Sequence, residues 1–566
     1  MSKTHPVQAE LPVPFYERHW FNRTFEILPG ALTYTILILP IVLSLTVPIL
    51  IAYFIIAFDL YWMLKSFRLG ANLIRGYGRL HQAQKINWED RLKWINNPAA
   101  ALTANESHIK SLLTEHPQLA RTFGSTKLSE RSAYEQLKHN EVMIHGLIGQ
   151  QKSLLNPKDI YNVVILATYN ESIDILEPSV KSLAEVDYPT KQLMLVIAYE
   201  ARGGEQTEQN AHKLVAEYGH HFAYAVAIKH PDGIVGEHRG KGANISYAGR
   251  QLSEEIMRQG IDPANVIVTT FDSDHRASKN YFAYLTYLYC TDVNRMHRSY
   301  QPIPMFYNNI WDAPAPMRVI ATGNSFWTLM ETMRPHRLRN FAAHAQSLAA
   351  LIATDYWSIT TIVEDGHQFW RSFFAFDGDH QVVPVYTPIF QDAVLADTYA
   401  RTFKVQFLQL RRWAWGASDI AFVARKSFEN PRIAWSNKLV QWGRLVESHF
   451  SQATAPLLLS FVGYLPLYLN HRFSYDALAH NLPVMLSWIL RLASITYFIT
   501  IGISLISLPP RPARYKRARN IGMILQWFLL PVTSIIFSSF AAINAQTRLM
   551  FGKYLEFYVT EKSTRK

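Results

Sequence analysis

Cysteine is almost absent: Cys290 stands alone in 566 residues. That excludes an intrachain disulfide and a zinc site built on several thiolates. The first 25 residues are polar and lack a short apolar core ahead of a small-residue cleavage site, so no secretory leader is read there. No internal repeat and no low-complexity tract occurs. Charge is missing from long stretches. Ala31 to Phe58 holds no charged side chain, and across Ser451–Asn470, Leu482–Leu508 and Ile521–Ala545 only Arg491 interrupts. Segments of about 20 apolar residues match a bilayer core of about 30 Å, which predicts membrane spans over the alternative of helices buried in a soluble core.

The formal charge of +12 could point to nucleic acid, but the basic residues argue against it by position. They cluster beside the apolar segments, in Lys65 to Arg79 and in "RPARYKRAR", Arg511 to Arg519. A positive-inside bias and anionic headgroups put them there, which makes membrane lipids the partner and excludes a nucleic-acid role. A multi-pass protein of the cell (inner or plasma) membrane is expected, with its polar half in a reducing cytosol.

Residues 1–30 read as a cytosolic amino-terminal segment. The run 31–67, broken by Pro40 and Pro48, reads as a tight hairpin of two short spans. Residues 68–155 are polar with helical patches and read as an accessory helical segment. Over 156–425 the texture changes: "NVVILATYN", "QLMLVIAYE", "FAYAVAIKH" and "ANVIVTTFDSD" alternate with helical stretches. That alternation predicts an α/β domain with a mostly parallel sheet flanked by helices, with ligands beyond the carboxyl ends of the strands. Within 426–450, Trp435, Leu439, Trp442, Val446 and Phe450 recur at spacings of three and four among basic residues. This predicts an amphipathic helix in the membrane interface, with ordinary core packing as the alternative. A transmembrane region, 451–545, and a basic tail, 546–566, complete the chain.

Asp272 and Asp274 in "FDSDH" follow the run "VIVTT". Carboxylates at this spacing after a strand can share a hard divalent cation that also takes substrate phosphates. A second such pair, Asp377 and Asp379 in "FDGDH", precedes a strand-like run and so falls on the wrong edge of the sheet.

These residues belong to an ordered series: "TYNES", "YEAR", "HRGKGANIS", "FDSDH", "ATGNSFW", "VEDGH" and "QLRRW". In this order the chain resembles the membrane-integrated, inverting family-2 glycosyltransferases, the group of cellulose and hyaluronan synthases, over about Tyr161 to Trp413 and in its flanking spans. The resemblance implies a GT-A-like fold with an amino-terminal membrane hairpin and carboxy-terminal transmembrane helices. It implies that Thr168, Tyr169 and Glu171 contact the nucleoside, and that Glu200, where the family more often has Asp, binds base or ribose. Lys241 would sit by the diphosphate, and Asp272 and Asp274 would hold Mg²⁺ or Mn²⁺. Asp365 of "VEDGH" corresponds to the catalytic base, with Glu364 beside it and Val363 where the family has Thr.

A first-turn position would favour an ionised Asp365, and Glu364 would oppose that ionisation. His367 is read as packed or hydrogen-bonded, not as a ligand. Gln409, Arg412 and Trp413 match the family's Gln-x-x-Arg-Trp signature, which suits a diphosphate (Gln409, Arg412) and a sugar wall (Trp413). Thr322, Gly323 and Trp327 match the acceptor-side loop. The tail resembles the family's gating segment through Phe557, Val559, Thr560 and Lys562. A hairpin plus three later spans would leave that tail on the far side. Either Ile521–Ala545, broken at Pro531, enters and leaves on one face, or an earlier segment does not cross; a cytosolic tail is favoured.

The resulting expectation is a metal-dependent inverting hexosyl- or N-acetylhexosaminyl-transferase. It would act from a nucleotide-sugar donor on a glycan or lipid-linked acceptor, by single or processive addition. A polyprenyl-phosphate sugar synthase shares the catalytic domain but generally lacks Gln-x-x-Arg-Trp. A transporter with a non-catalytic sheet domain would need polar residues along its spans, and Arg491 is the sole charged candidate.

Overall fold

A computed structural model describes residues 14–120 and 128–558. Its centre is an eight-stranded sheet: β1 (Tyr161–Thr168), β2 (Leu193–Glu200), β3 (Tyr224–His230), β4 (Val266–Asp272), β5 (Arg276–Ala277), β6 (Arg298–Met305), β7 (Ala345–Ser347) and β8 (Gln381–Phe390), in the order β3-β2-β1-β4-β7-β6-β8-β5. The first four are parallel neighbours and β6 and β8 run parallel, while β7 is antiparallel to both β4 and β6, and β5 is antiparallel to β8. The four predicted runs are β1 to β4. They read as unbroken apolar stretches because both faces are covered. Val163 and Ile165 pack under the helix Lys241–Arg258, through Ile245, Ala248 and Leu252. Val164 and Leu166 pack on the opposite face against Leu176 and Val180. The half made by β6 and β7 is not legible from apolar runs: β6 carries Pro302 and Pro304, with a register shift at Pro302/Ile303, and β7 has three residues.

Among the described residues, five helical segments are long and apolar enough to cross a membrane: His19–Thr46, Pro48–Lys85, Trp435–Leu469, Ala477–Ser507 and Ala518–Met550. The hairpin consists of long helices of 28 and 38 residues, not two short ones. They meet at Val47, where Pro48 opens the second helix at the one position that needs no N–H. That second helix runs through residue 68 to Lys85, because nothing in its sequence stops the ladder. Likewise the stripe of 426–450 is not a separate helix. Trp435–Phe461 is continuous into the following segment, with Val446 buried and Leu439 exposed.

The first four segments share one orientation scheme. At one end Asn470 Nδ2 donates to Leu45 O at 3.0 Å; at the other, Tyr307 of the sheet domain donates to Ser507 Oγ at 2.8 Å and Arg79 to Tyr386 Oη at 3.1 Å. The fifth behaves differently, with both its ends against the sheet domain. Arg519 donates to Trp311 O at 2.9 Å, while Ala545 and Leu549 pack with Ala414 and Trp415. Pro531 and a π-helical stretch, Ser534–Ser539, break its regularity. Both ends of this segment thus lie on the side of the sheet domain. The tail thereby returns to the sheet domain as far as Phe557; Val559, Thr560 and Lys562 lie outside the described residues.

Candidate functional site

A cavity of about 1160 Å³ opens beyond the carboxyl ends of β1, β2 and β4 and runs toward the candidate spans. Thr168, Tyr169, Glu171, Glu200, Lys241, Asp272, Asp274, Gly323, Trp327, Glu364, Asp365, Gln409, Arg412 and Trp413 all line it. Thr322 does not: it is buried on the inner face of the helix Ala315–Glu331, one position round from Gly323. Asp377 and Asp379 lie elsewhere, paired with Arg432 and with His297 and Arg298.

The loop after β1 is held by Glu171, whose Oε2 accepts from Thr168 Oγ1 and from the Tyr169 N–H, each at 2.8 Å. After β2, Arg202 donates to Glu200 Oε1 at 3.1 Å and lies 4.2 Å over the Tyr169 ring. The loops approach this closely because position 203 is Gly: a Cβ there would stand 1.8 Å from Tyr169 O. Together they form a flat, polar-edged wall suited to a nucleobase.

Lys241 opens its helix at the centre of the site. Its Nζ is 2.8 Å from Asp272, 3.3 Å from Asp365 and 3.7 Å from Glu364. Burial works against its charge, but these three carboxylates outweigh it and hold its pKa above the usual lysine range. The approach of the two helix starts depends on Gly242, where a Cβ would stand 2.5 Å from Ser358 O and 3.1 Å from Glu364 Cβ.

Glu364 and Asp365 form the first turn of the helix Glu364–Ala375, after Val363. Glu364 is 2 % exposed, and its Oε2 has no hydrogen-bond partner among the described residues. Burial and then the Asp365 charge push its pKa up, opposed by Lys241 and Arg412. The expected conflict between the two acids is therefore borne by Glu364, the one cut off from water, while Asp365 faces the cavity.

Sequence reasoning missed His344, a buried residue after β6 with no motif to mark it. Trp357 donates to its Nε2 at 3.2 Å. In the neutral ring the hydrogen is therefore on Nδ1, which faces Phe341 O at 3.0 Å and Asp365 Oδ1 at 3.5 Å. Burial lowers the His344 pKa, so the neutral ring is the resting form.

Asp272, Asp274 and His275 place one ligand atom each within 4.8 Å of one another. His275 is already engaged: its Nδ1 accepts from the Asp272 N–H at 3.1 Å and its Nε2 faces Gln391 Oε1 at 2.8 Å. It braces the loop, which leaves the two carboxylates as the candidate ligand pair. A divalent cation fits the charge as well as the donors. Asp272, Asp274, Glu364 and Asp365 line this end of the cavity against the ammonium of Lys241 and the guanidinium of Arg412, an excess that would repel a diphosphate unless a cation offset it.

His367 is buried and its Nδ1 lies 2.6 Å from Asp419, as a packed, hydrogen-bonded residue would be. In the helix Tyr399–Ala414, Arg412 lies 4.8 Å over the Phe557 ring, which also rests against Gly240.

No family model matches the chain, and no curated protein sequence matches it. Solved structures similar to it include the mannosyltransferase PcManGT from Pyrobaculum calidifontis in complex with GDP-Man and Mn²⁺, at 13 % identity and TM-score 0.39, covering 81 % of this chain and 100 % of that one. S. aureus TarS 1-349 in complex with UDP-GlcNAc is similar at 13 % identity and TM-score 0.27, covering 61 % and 92 %. GalNAc-T7 with UDP, GalNAc and Mn²⁺ is similar at 10 % identity and TM-score 0.30, covering 51 % and 58 %.

Proposed function

We propose that this protein is a membrane-embedded, inverting glycosyltransferase that moves a sugar from a nucleotide-diphosphate donor to a glycan or lipid-linked acceptor. The observation that carries this reading is the convergence of Asp272 and Asp365, from separate elements, on the one ammonium of Lys241. The nucleoside lies on the wall of Tyr169, Glu200 and Arg202, and the diphosphate displaces the carboxylates as partner of Lys241. Asp272 and Asp274 would hold Mg²⁺ or Mn²⁺, which when bound would offset the charge that builds on the leaving nucleotide. Asp365 accepts the acceptor hydroxyl proton as that oxygen bonds to the anomeric carbon. The bond from that carbon to the diphosphate oxygen breaks on the opposite face, and its electron pair leaves with the nucleotide. His344, its Nδ1 3.5 Å from Asp365 Oδ1, packs beside the carboxylate and limits where it can turn. Gln409 and Arg412 flank the diphosphate, and Trp413, Trp327 and Gly323 flank the acceptor.

Arg491, the charged residue on which the sequence rested the transporter reading, is exposed beside Trp488 and does not line the cavity. The test is the full chain in lipid nanodiscs, screened against nucleotide sugars with and without divalent cation. Cation-dependent release of nucleotide and a product of inverted anomeric configuration are expected. A retained configuration, or no turnover of any donor, overturns the reading.

A further inference from the structure

The far end of the cavity is basic, and the donor chemistry does not use it. The loop after the helix Ala315–Glu331 reads "RPHRLR" and contributes Arg334, Arg337 and Arg339; Lys65 and Arg444 join them from two candidate spans. Against these five cations the same end presents Glu331 and Glu447. Arg334 pairs with Glu331, while Arg337 at 2.9 Å and Lys65 at 3.4 Å share Glu447. Asp419, which also lines the cavity, is occupied by His367. Arg339 and Arg444 have no carboxylate within 4.0 Å among the described residues. Arg339 is held over Phe369 and Trp370, at 4.0 and 5.0 Å, and by Gln441 at 2.9 Å. Arg334 is 9 % exposed, and its buried Nε has no hydrogen-bond partner.

Arg337, Arg339 and Arg444 are half-buried and Arg334 is buried, so an excess of guanidinium in this recess is favoured when an anion completes it. Here the forks suit phosphate oxygens. The wall beside them is apolar and comes from the candidate spans, through Trp62, Leu69, Leu459 and Leu490. A basic collar next to such a wall fits a ligand with a phosphate head and a hydrocarbon tail. Trp370, under Arg339, lies five residues beyond Asp365 on one helix, an axial rise of about 7.5 Å between the two positions, and the collar and the proposed base open onto one cavity.

We infer that Arg334, Arg337, Arg339 and Arg444 form an acceptor site for a phosphate-bearing lipid, which holds the phosphate while the sugar linked to it offers a hydroxyl to Asp365. The site rests on the transferase reading for its role, though its binding can be measured separately. His336, in the same loop, has its pKa lowered by burial and then by Arg444, Arg337, Arg334 and Arg339, as a field short of anions requires.

The experiment uses the full chain in phosphatidylcholine nanodiscs, with polyprenyl monophosphate and the polyprenol of equal length as probes. Wild type is expected to bind the phosphate about tenfold tighter or more. Arg337→Gln/Arg444→Gln should erase most of that preference. Arg334→Lys, which keeps the charge facing Glu331 and loses the fork, should weaken it with the fold intact. Equal binding of phosphate and alcohol overturns the site, as does a preference that survives the double variant. Inorganic phosphate in millimolar excess that displaces the probe would identify a free-anion site, and phosphatidylglycerol that replaces it equally would identify a bilayer headgroup site; either result overturns the acceptor assignment. If nucleotide-sugar transfer fails while the phosphate preference holds, the transferase reading falls and the lipid-phosphate site stands.

Discussion

His344 directs its Nδ1 at Asp365, 3.5 Å away, while Trp357 occupies the other ring nitrogen. The hydrogen on that nitrogen is donated to Phe341 O at 3.0 Å, so the carboxylate assigned as base rests against a neutral ring held in place from both sides. His344→Leu is expected to lower kcat about tenfold with little change in donor KM. An unchanged kcat, or a loss of kcat and donor affinity together, would make His344 a packing residue only.

Asp365→Asn removes the proton acceptor and keeps the shape. Transfer should fall about 10² to 10⁴-fold while nucleotide affinity, read by calorimetry, stays near wild type. Activity equal to wild type would remove the base assignment.

Glu364 carries a pH dependence of stability. Its folded pKa lies above its unfolded value, so the folded state holds the extra proton between the two, and stability is lost as pH rises through that interval. Glu364→Gln should therefore melt like wild type below about pH 4.3, and above wild type at pH 8, a condition at which the wild-type carboxyl is charged. A variant that melts lower at pH 8 would mean that Lys241 depends on Glu364 more than burial opposes it.

For the metal, Asp274→Ala should weaken Mn²⁺-dependent nucleotide binding about tenfold or more, as loss of a carboxylate ligand does. Electron paramagnetic resonance of bound Mn²⁺ gives a readout independent of turnover. Unchanged affinity would place the ion elsewhere.

Gly242→Ala tests the close approach of the two helix starts. With Ser358 O at 2.5 Å from the new methyl, destabilisation of about 1–3 kcal/mol is expected from overpacking. It should appear as a lower melting temperature together with lost activity, since Lys241 and Glu364 are moved by the same shift. A variant as stable and active as wild type would show that the junction yields freely.

Much of the site was legible because its residues follow strands that are apolar on both faces. Thr168, Glu200 and Asp272 end β1, β2 and β4, and a run buried on both sides is easily read along the chain. Strands β6 and β7 escaped because prolines and brevity remove that pattern. His344 and the arginines of "RPHRLR" escaped because their roles depend on Asp365, Trp370 and Glu447, which are distant in sequence. Thr322 was misplaced for a related reason: a motif match names a segment, and helical rotation decides which side chain meets the cavity.

The sequence by itself determined the apolar segments, the parallel strands and the order of the motif residues, since local hydrophobic pattern and chemistry suffice for these. Only the tertiary structure decided that Lys241 gathers acids from two elements, that burial loads the upward pKa on Glu364, and that the last apolar segment returns to the sheet domain. Each of those is a matter of which distant groups exclude water from one another, and chain order alone does not specify it.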